Sequence, residues 1–147
     1  LKNELNGMEF RMPTEAEWEY AARGGKLGKN KKYPGSDDLD EVAWCWRNSD
    51  VHTHAVGKKE PNELGLYDMF GNVGECCLDS HIGRHCNFEQ QVNPICLDNS
   101  EYIITRGGGY TISDSLEYER RGVPKNYAHE DLGLRLCLSS YKYKYED

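Results

Sequence analysis

Residues 10–25 read FRMPTEAEWEYAARGG, and this stretch sets the first element of the fold. Thr14 followed by Glu17 is a capping box: the hydroxyl accepts from the Glu17 amide, and the Glu17 carboxylate accepts from the Thr14 amide. Acidic residues in the first turn also suit the positive end of a helix dipole. Ala16, Trp18, Tyr20, Ala21 and Ala22 propagate the helix, and Gly24-Gly25 stop it. Trp18 and Ala22 lie four apart on one face, which is predicted to turn inward. The spacing predicts a helix over 14–23.

Outward from this helix the signals thin. Residues 26–40, KLGKNKKYPGSDDLD, pass from basic through Pro-Gly to acidic and read as a solvated loop. EVAWCW (41–46) reads as a short apolar strand or turn that buries Trp44 or Trp46. One apolar segment, Leu64 to Phe70, is bounded by turn residues, and 80–100 reads as an irregular excursion. EYIITRGGGY (101–110) predicts a β-branched strand over 102–106 that ends in three glycines. LGLRLCLSS (132–140) alternates apolar and polar residues and predicts a second, buried strand over 133–138. Regular structure is sparse between these elements.

Composition narrows the function. The chain has 147 residues, the size of one domain, with 25 acidic against 18 basic residues and a net charge of −7. That balance argues against a nucleic-acid partner, since phosphate neutralisation needs a basic patch. No apolar run approaches the roughly 20 residues of a membrane span. Six cysteines are present: Cys45, Cys76, Cys77, Cys86, Cys96 and Cys137. They admit up to three disulfides in 15 connectivities, or a reduced set. His81 and His85 lie near three of them, but no C-x2-C pair has a matching second pair, so one or two disulfides with buried thiols is preferred over zinc. The histidines have no Ser or Cys partner at recognisable spacing and read as surface or turn residues.

Taken together, RMPTEAEWEYAARGG, PNELGLYDMFGNVGE, TRGGGY and LGLRLCLSS resemble, in order and spacing, the formylglycine-generating enzyme (sulfatase-modifying factor) family. The resemblance runs over nearly the whole chain. It implies a C-type-lectin-like α+β fold, with 1–147 forming one domain that corresponds to the C-terminal two thirds of the family domain. Relatives of this type include non-catalytic binding proteins, among them the variable proteins of diversity-generating retroelements.

Residues 71–80, GNVGECCLDS, depart from the family pattern: Gly74, Cys76, Leu78 and Ser80 stand where the resemblance expects tryptophan. Each is one base change from a Trp codon, and each loss removes a ring that buries about 150–250 Å². The polar frame survives, and the resemblance places a calcium site on Asp68, Gly71, Val73 and Glu75. Hard Ca2+ takes six to eight oxygens, and two carboxylates with turn carbonyls supply about half of them. The family's other calcium site needs an Asn where this chain has Trp44, so it is not carried over.

Catalysis is the sharper test. Family enzymes oxidise a substrate cysteine with two cysteines spaced C-x4-C, whose soft thiolates suit copper(I). Alignment on Gly107-Gly108-Gly109-Tyr110 puts Ile112 and Glu117 at those positions, so no catalytic residue is assigned and copper is not expected. The same stretch, YTISDSLEYERRGVPKNYAHED (110–131), mixes amphipathic rings, planar guanidinium forks and short hydrogen-bonders, a composition suited to adaptable recognition. Candidate ligand residues are Tyr110, Thr111, Ser113, Asp114, Glu117, Tyr118, Arg120, Arg121, Asn126, Tyr127 and His129. Glu117, Glu119, Lys125 and Glu130 do not suit diversification through Asn-type codons. The expectation is a non-catalytic domain that binds a protein or glycan, with an extracytoplasmic or cell-surface location favoured. The alternative is an oxidase of the formylglycine-generating type or another metal-dependent enzyme of the family.

Overall fold

In a computed structural model, residues 7–81, 92–113 and 120–140 are described. The elements run β1 (Glu9–Arg11), α1 (Glu15–Ala22), a 3-10 turn (Gly25–Leu27), α2 (Leu39–Val42), β2 (Gly74–Ser80), β3 (Tyr102–Arg106), β4 (Arg120–Pro124), β5 (Leu132–Gly133) and β6 (Cys137–Ser139). A four-stranded sheet has the order β4-β3-β2-β5, and β1 pairs with β6 in a separate ribbon. β2 runs antiparallel to β3 and parallel to β5, with a register shift between Cys76 and Ser80.

The helix forms as its sequence predicts. The Thr14 hydroxyl accepts from the Glu17 amide at 3.1 Å, and the Glu17 carboxylate accepts from the Thr14 amide at 2.9 Å. Trp18 and Ala22 are buried and pack with Met69, Cys77 and Ile104 between the helix and the sheet. A second cluster of Tyr33, Leu39, Val42, Ala43, Cys45, Phe70 and Ile112 lies beside it.

Two expectations are corrected. Of the strand or turn expected over 41–46, the strand does not form: Leu39–Val42 is one helical turn, capped by Asp38, whose carboxylate accepts from the Asp40 amide at 3.0 Å, and a turn begins at Trp46. The segment's buried side chains are Val42, Ala43 and Cys45, whereas Trp46 is exposed. Trp44 is half-buried, stacked on His54 with ring centroids 3.8 Å apart and covered by the Lys59 ammonium at 4.2 Å.

The predicted strand over 133–138 is broken into β5 and β6. Arg135, between them, donates to Glu75 at 2.8 and 2.7 Å and to the Tyr67 carbonyl at 2.8 Å. With Arg135 drawn inward, the alternation that suggested burial turns Leu134, Leu136 and Leu138 outward, and all three are exposed.

Beneath the sheet runs a network of buried charges. Glu15 accepts from Arg106 at 3.4 Å and from Arg120 at 2.7 Å, Arg106 also pairs with Glu19, and the Arg106 guanidinium lies 5.2 Å from the Trp18 ring centroid. Buried charges persist only when paired. This network therefore fixes α1 against β3 and β4.

Candidate functional site

A cleft of about 230 Å³ opens where β2, β5 and the glycine turn after β3 meet. Gly74, Gly108 and Gly109 line it, and Ile112 and Leu132 supply apolar wall. Thr105, Thr111, Ser113, Arg121 and Asp131 give it polar edges.

Local geometry explains each wall. Gly74 is held in register by its amide, which donates to the Asp131 carbonyl at 2.7 Å. Gly108 takes φ of +66°, a region open to glycine at little cost. The carbonyl of neighbouring Gly107 accepts from the Gly71 amide at 2.9 Å, which ties the turn to the loop before β2. Ile112 is anchored by its place in the second core cluster, and its carbonyl accepts from the Trp46 amide at 3.2 Å.

The structure divides the candidate ligand residues. Thr111, Ser113 and Arg121 meet in the cleft. The Arg121 guanidinium makes no hydrogen bond or ion pair among the described residues. Tyr127 and His129 are exposed and stacked, with centroids 5.7 Å apart, and His129 Nδ1 lies 2.6 Å from the Asp131 carboxylate at the cleft edge. Asn126 lines a separate hollow with Glu101, Tyr102, Pro124 and Lys125.

Two candidates have internal work instead. Tyr110 is buried and donates its hydroxyl to Glu130 at 2.8 Å, while its carbonyl accepts from Ser49 at 3.0 Å. Arg120 is committed to Glu15. Asp114, Glu117 and Tyr118 lie outside the described residues. Sequence reasoning missed Gly74, Thr105, Gly108, Gly109, Asp131 and Leu132 as site residues. The signal for Gly74 was its place in a stretch where the resemblance expects an aromatic ring.

Of the calcium candidates, Asp68, Val73 and Glu75 line one hollow. Asp68 is buried, its Oδ2 accepts from the Gly57 amide at 2.7 Å, and its Oδ1 has no partner among the described residues. Glu75 has protein donors on both oxygens. One of its oxygens accepts from Trp18 Nε1 at 2.7 Å and from Arg135 Nε, and the other accepts from the second Arg135 nitrogen. Arg135 thus forms an ion pair with Glu75. Among the described residues no group of three or more His, Cys, Asp and Glu is placed to bind a metal.

The surroundings of the two thiols in this segment disfavour the thiolate. Burial pushes the Cys77 thiol far up, helped by the charges of Asp79, Glu15 and Glu75, and burial with Glu75 also raises Cys76. The thiolate is the nucleophile and metal ligand, so both shifts oppose that chemistry. Cys45, Cys76, Cys77 and Cys137 are free. Cys96 is disulfide-bonded, so its partner lies outside the described residues.

The fold and motifs together define a class, and the chain belongs to it. Residues 2–140 match the family of sulfatase-modifying factor enzyme 1-like domains. Among relatives, the chain is similar to a protein named chaperone protein LppX from Paenibacillus barcinonensis, at 38% identity over 88% of this chain and 49% of that protein. It is 34% identical to the formylglycine-generating enzyme of Streptomyces coelicolor, over 71% of this chain and 37% of the enzyme. Treponema denticola variable protein 1 superposes with a TM-score of 0.78 at 36% identity, over 90% of this chain and 48% of that one. The chain therefore spans half or less of the length of these relatives.

Proposed function

We propose that this chain is a non-catalytic ligand-binding domain of the family, taking a protein or glycan ligand at the cleft over Gly74. Thr111, Ser113 and Arg121 form the contact edge, and the stacked Tyr127–His129 pair extends it. The observation that carries the reading is Arg121, a cation at a cleft edge with no partner of its own among the described residues. The likeness to a variable protein supports a binding role, and the raised thiols of Cys76 and Cys77 oppose an oxidase built on them. The disulfide at Cys96 supports an extracytoplasmic or cell-surface setting, because such bonds persist in oxidising compartments.

The test screens the whole chain against glycan and peptide arrays, with buffered copper(I) titration in parallel. Arg121→Ala should lose the captured ligand while Lys58→Ala keeps it, and copper(I) should not bind the cleft. Cleft copper binding that disappears on replacing Cys76 or Cys77, or turnover of a cysteine-containing sulfatase peptide, would overturn the reading in favour of an enzyme.

A further inference from the structure

Gly74 lies in a strand with neither of the usual reasons for glycine. It is not among the residues of positive φ. A Cβ added there would meet only ordinary contacts: the Asp131 carbonyl at 3.6 Å, Leu132 Cδ2 at 3.7 Å and Thr105 Cβ at 3.9 Å. Gly74 opens β2, and a glycine leaves the backbone free for the close approach of a ligand. The space that a side chain would have filled is the cleft.

Its size and lining select an occupant. About 230 Å³ falls below the roughly 300–1,000 Å³ of pockets that enclose a whole drug-sized ligand, so it suits one ring system better than an oligosaccharide. Bare backbone at Gly74 lets a flat face approach closely, with Gly108 and Gly109 beside it in the lining. Arg121 contributes an unpartnered guanidinium, which is attracted to the face of an electron-rich ring. Asp131 contributes a carboxylate acceptor whose orientation is set by His129 Nδ1 at 2.6 Å.

The geometry points to an indole or phenol side chain of a protein partner as the occupant, an inference that rests on the binding reading above. Its face lies on the glycine floor, Arg121 covers it, and its N–H or O–H donates to Asp131. Buried indole and phenol rings find such a polar partner as a rule, so the acceptor matches the occupant.

The test is an amide-resolved NMR titration of the whole chain with N-acetyl-tryptophanamide, N-acetyl-tyrosinamide, N-acetyl-leucinamide and methyl mannoside. The two aromatic amides should shift the Gly74, Gly108 and Gly109 signals to saturation, and the other two probes should not. Arg121→Ala should weaken the aromatic response two- to five-fold, the equivalent of about 0.5–1 kcal/mol for an exposed cation–π contact. Gly74→Trp, which fills the cleft from its own floor, should abolish it. Since that variant could fail to fold, the exposed Arg121→Ala site gives an independent readout. No saturable response to the aromatic amides, or an equal one to the leucine amide, would overturn the proposal. A response to the mannoside alone would also overturn it while leaving a binding domain in place, whereas cleft copper binding would remove the binding reading itself.

Discussion

Three donors converge on the two oxygens of Glu75: Trp18 Nε1 and two nitrogens of Arg135. Both carboxylate and indole are buried, and Arg135 also holds the Tyr67 carbonyl, so one residue ties α1, β2, the loop before it and the segment after β5. Hydrogen bonds to charged groups contribute about 1.5–3 kcal/mol each, and losing the carboxylate leaves a guanidinium uncompensated. Glu75→Gln should therefore lower stability by about 2–3 kcal/mol in urea unfolding, equally with and without millimolar calcium. The alternative outcome is just as readable. A calcium-dependent rise in melting temperature that Glu75→Gln abolishes would put the ion on Asp68, Gly71, Val73 and Glu75, and would require Arg135 to swing out. Asp68 Oδ1, buried and without a partner among the described residues, is the atom that keeps this alternative worth measuring.

Elements depend on how local their signals are. α1 was legible because its capping box, first-turn acids and terminal glycines all lie within a dozen residues, and β3 was legible from its β-branched run. β2 was hidden because Glu75 and Asp79 are buried where period-two reasoning expects apolar side chains. Asp79 explains part of that inversion: its oxygens accept from the Glu15 amide at 2.7 Å and the Cys96 amide at 2.9 Å, contacts 64 and 17 residues away in sequence. No local pattern announces such partners. Asp79→Asn would turn an amide donor toward one of those N–H groups and should cost about 1–3 kcal/mol, read as a fall in the urea midpoint. The helix start also carries a pH dependence. The Arg11 hydrogen bond holds Glu17 below its ordinary value of 4.5 despite partial burial. A lowered carboxylate contributes stability above its unfolded value and loses it as pH falls through the folded one. The half-exposed pair is worth about 0.5–1 kcal/mol. The gap between wild type and Arg11→Met should therefore be present at neutral pH and narrow in acid; a constant gap would show that Arg11 acts through packing alone.

At the scale of the whole molecule, an apolar strip is exposed among the described residues. Leu138 and Phe10 are register partners across the β1–β6 ribbon, and both are exposed. Leu134 and Leu136 continue along the same segment and line a hollow of about 460 Å³ with Val56, Leu66 and Tyr67. The cleft could not be read from the sequence for a related reason. It is made of backbone and of residues brought together from β2, β3, β5 and the glycine turn, while the stretch that looked like a recognition loop contributes only part of it. The leucines were legible as apolar but not as exposed, because only the pull of Glu75 on Arg135 decides which way the alternation faces. Soluble chains seldom leave contiguous apolar patches larger than a few hundred Å² uncovered. The isolated chain should accordingly enhance the fluorescence of an apolar dye and self-associate as concentration rises. Leu136→Lys with Leu138→Lys should reduce both effects. Each exposed substitution should change stability by no more than about 0.5 kcal/mol, because neither leucine gives up core packing. A large loss of stability in this double variant, with dye binding unchanged, would mean that these leucines pack inward and that Arg135 does not set the direction of the strand.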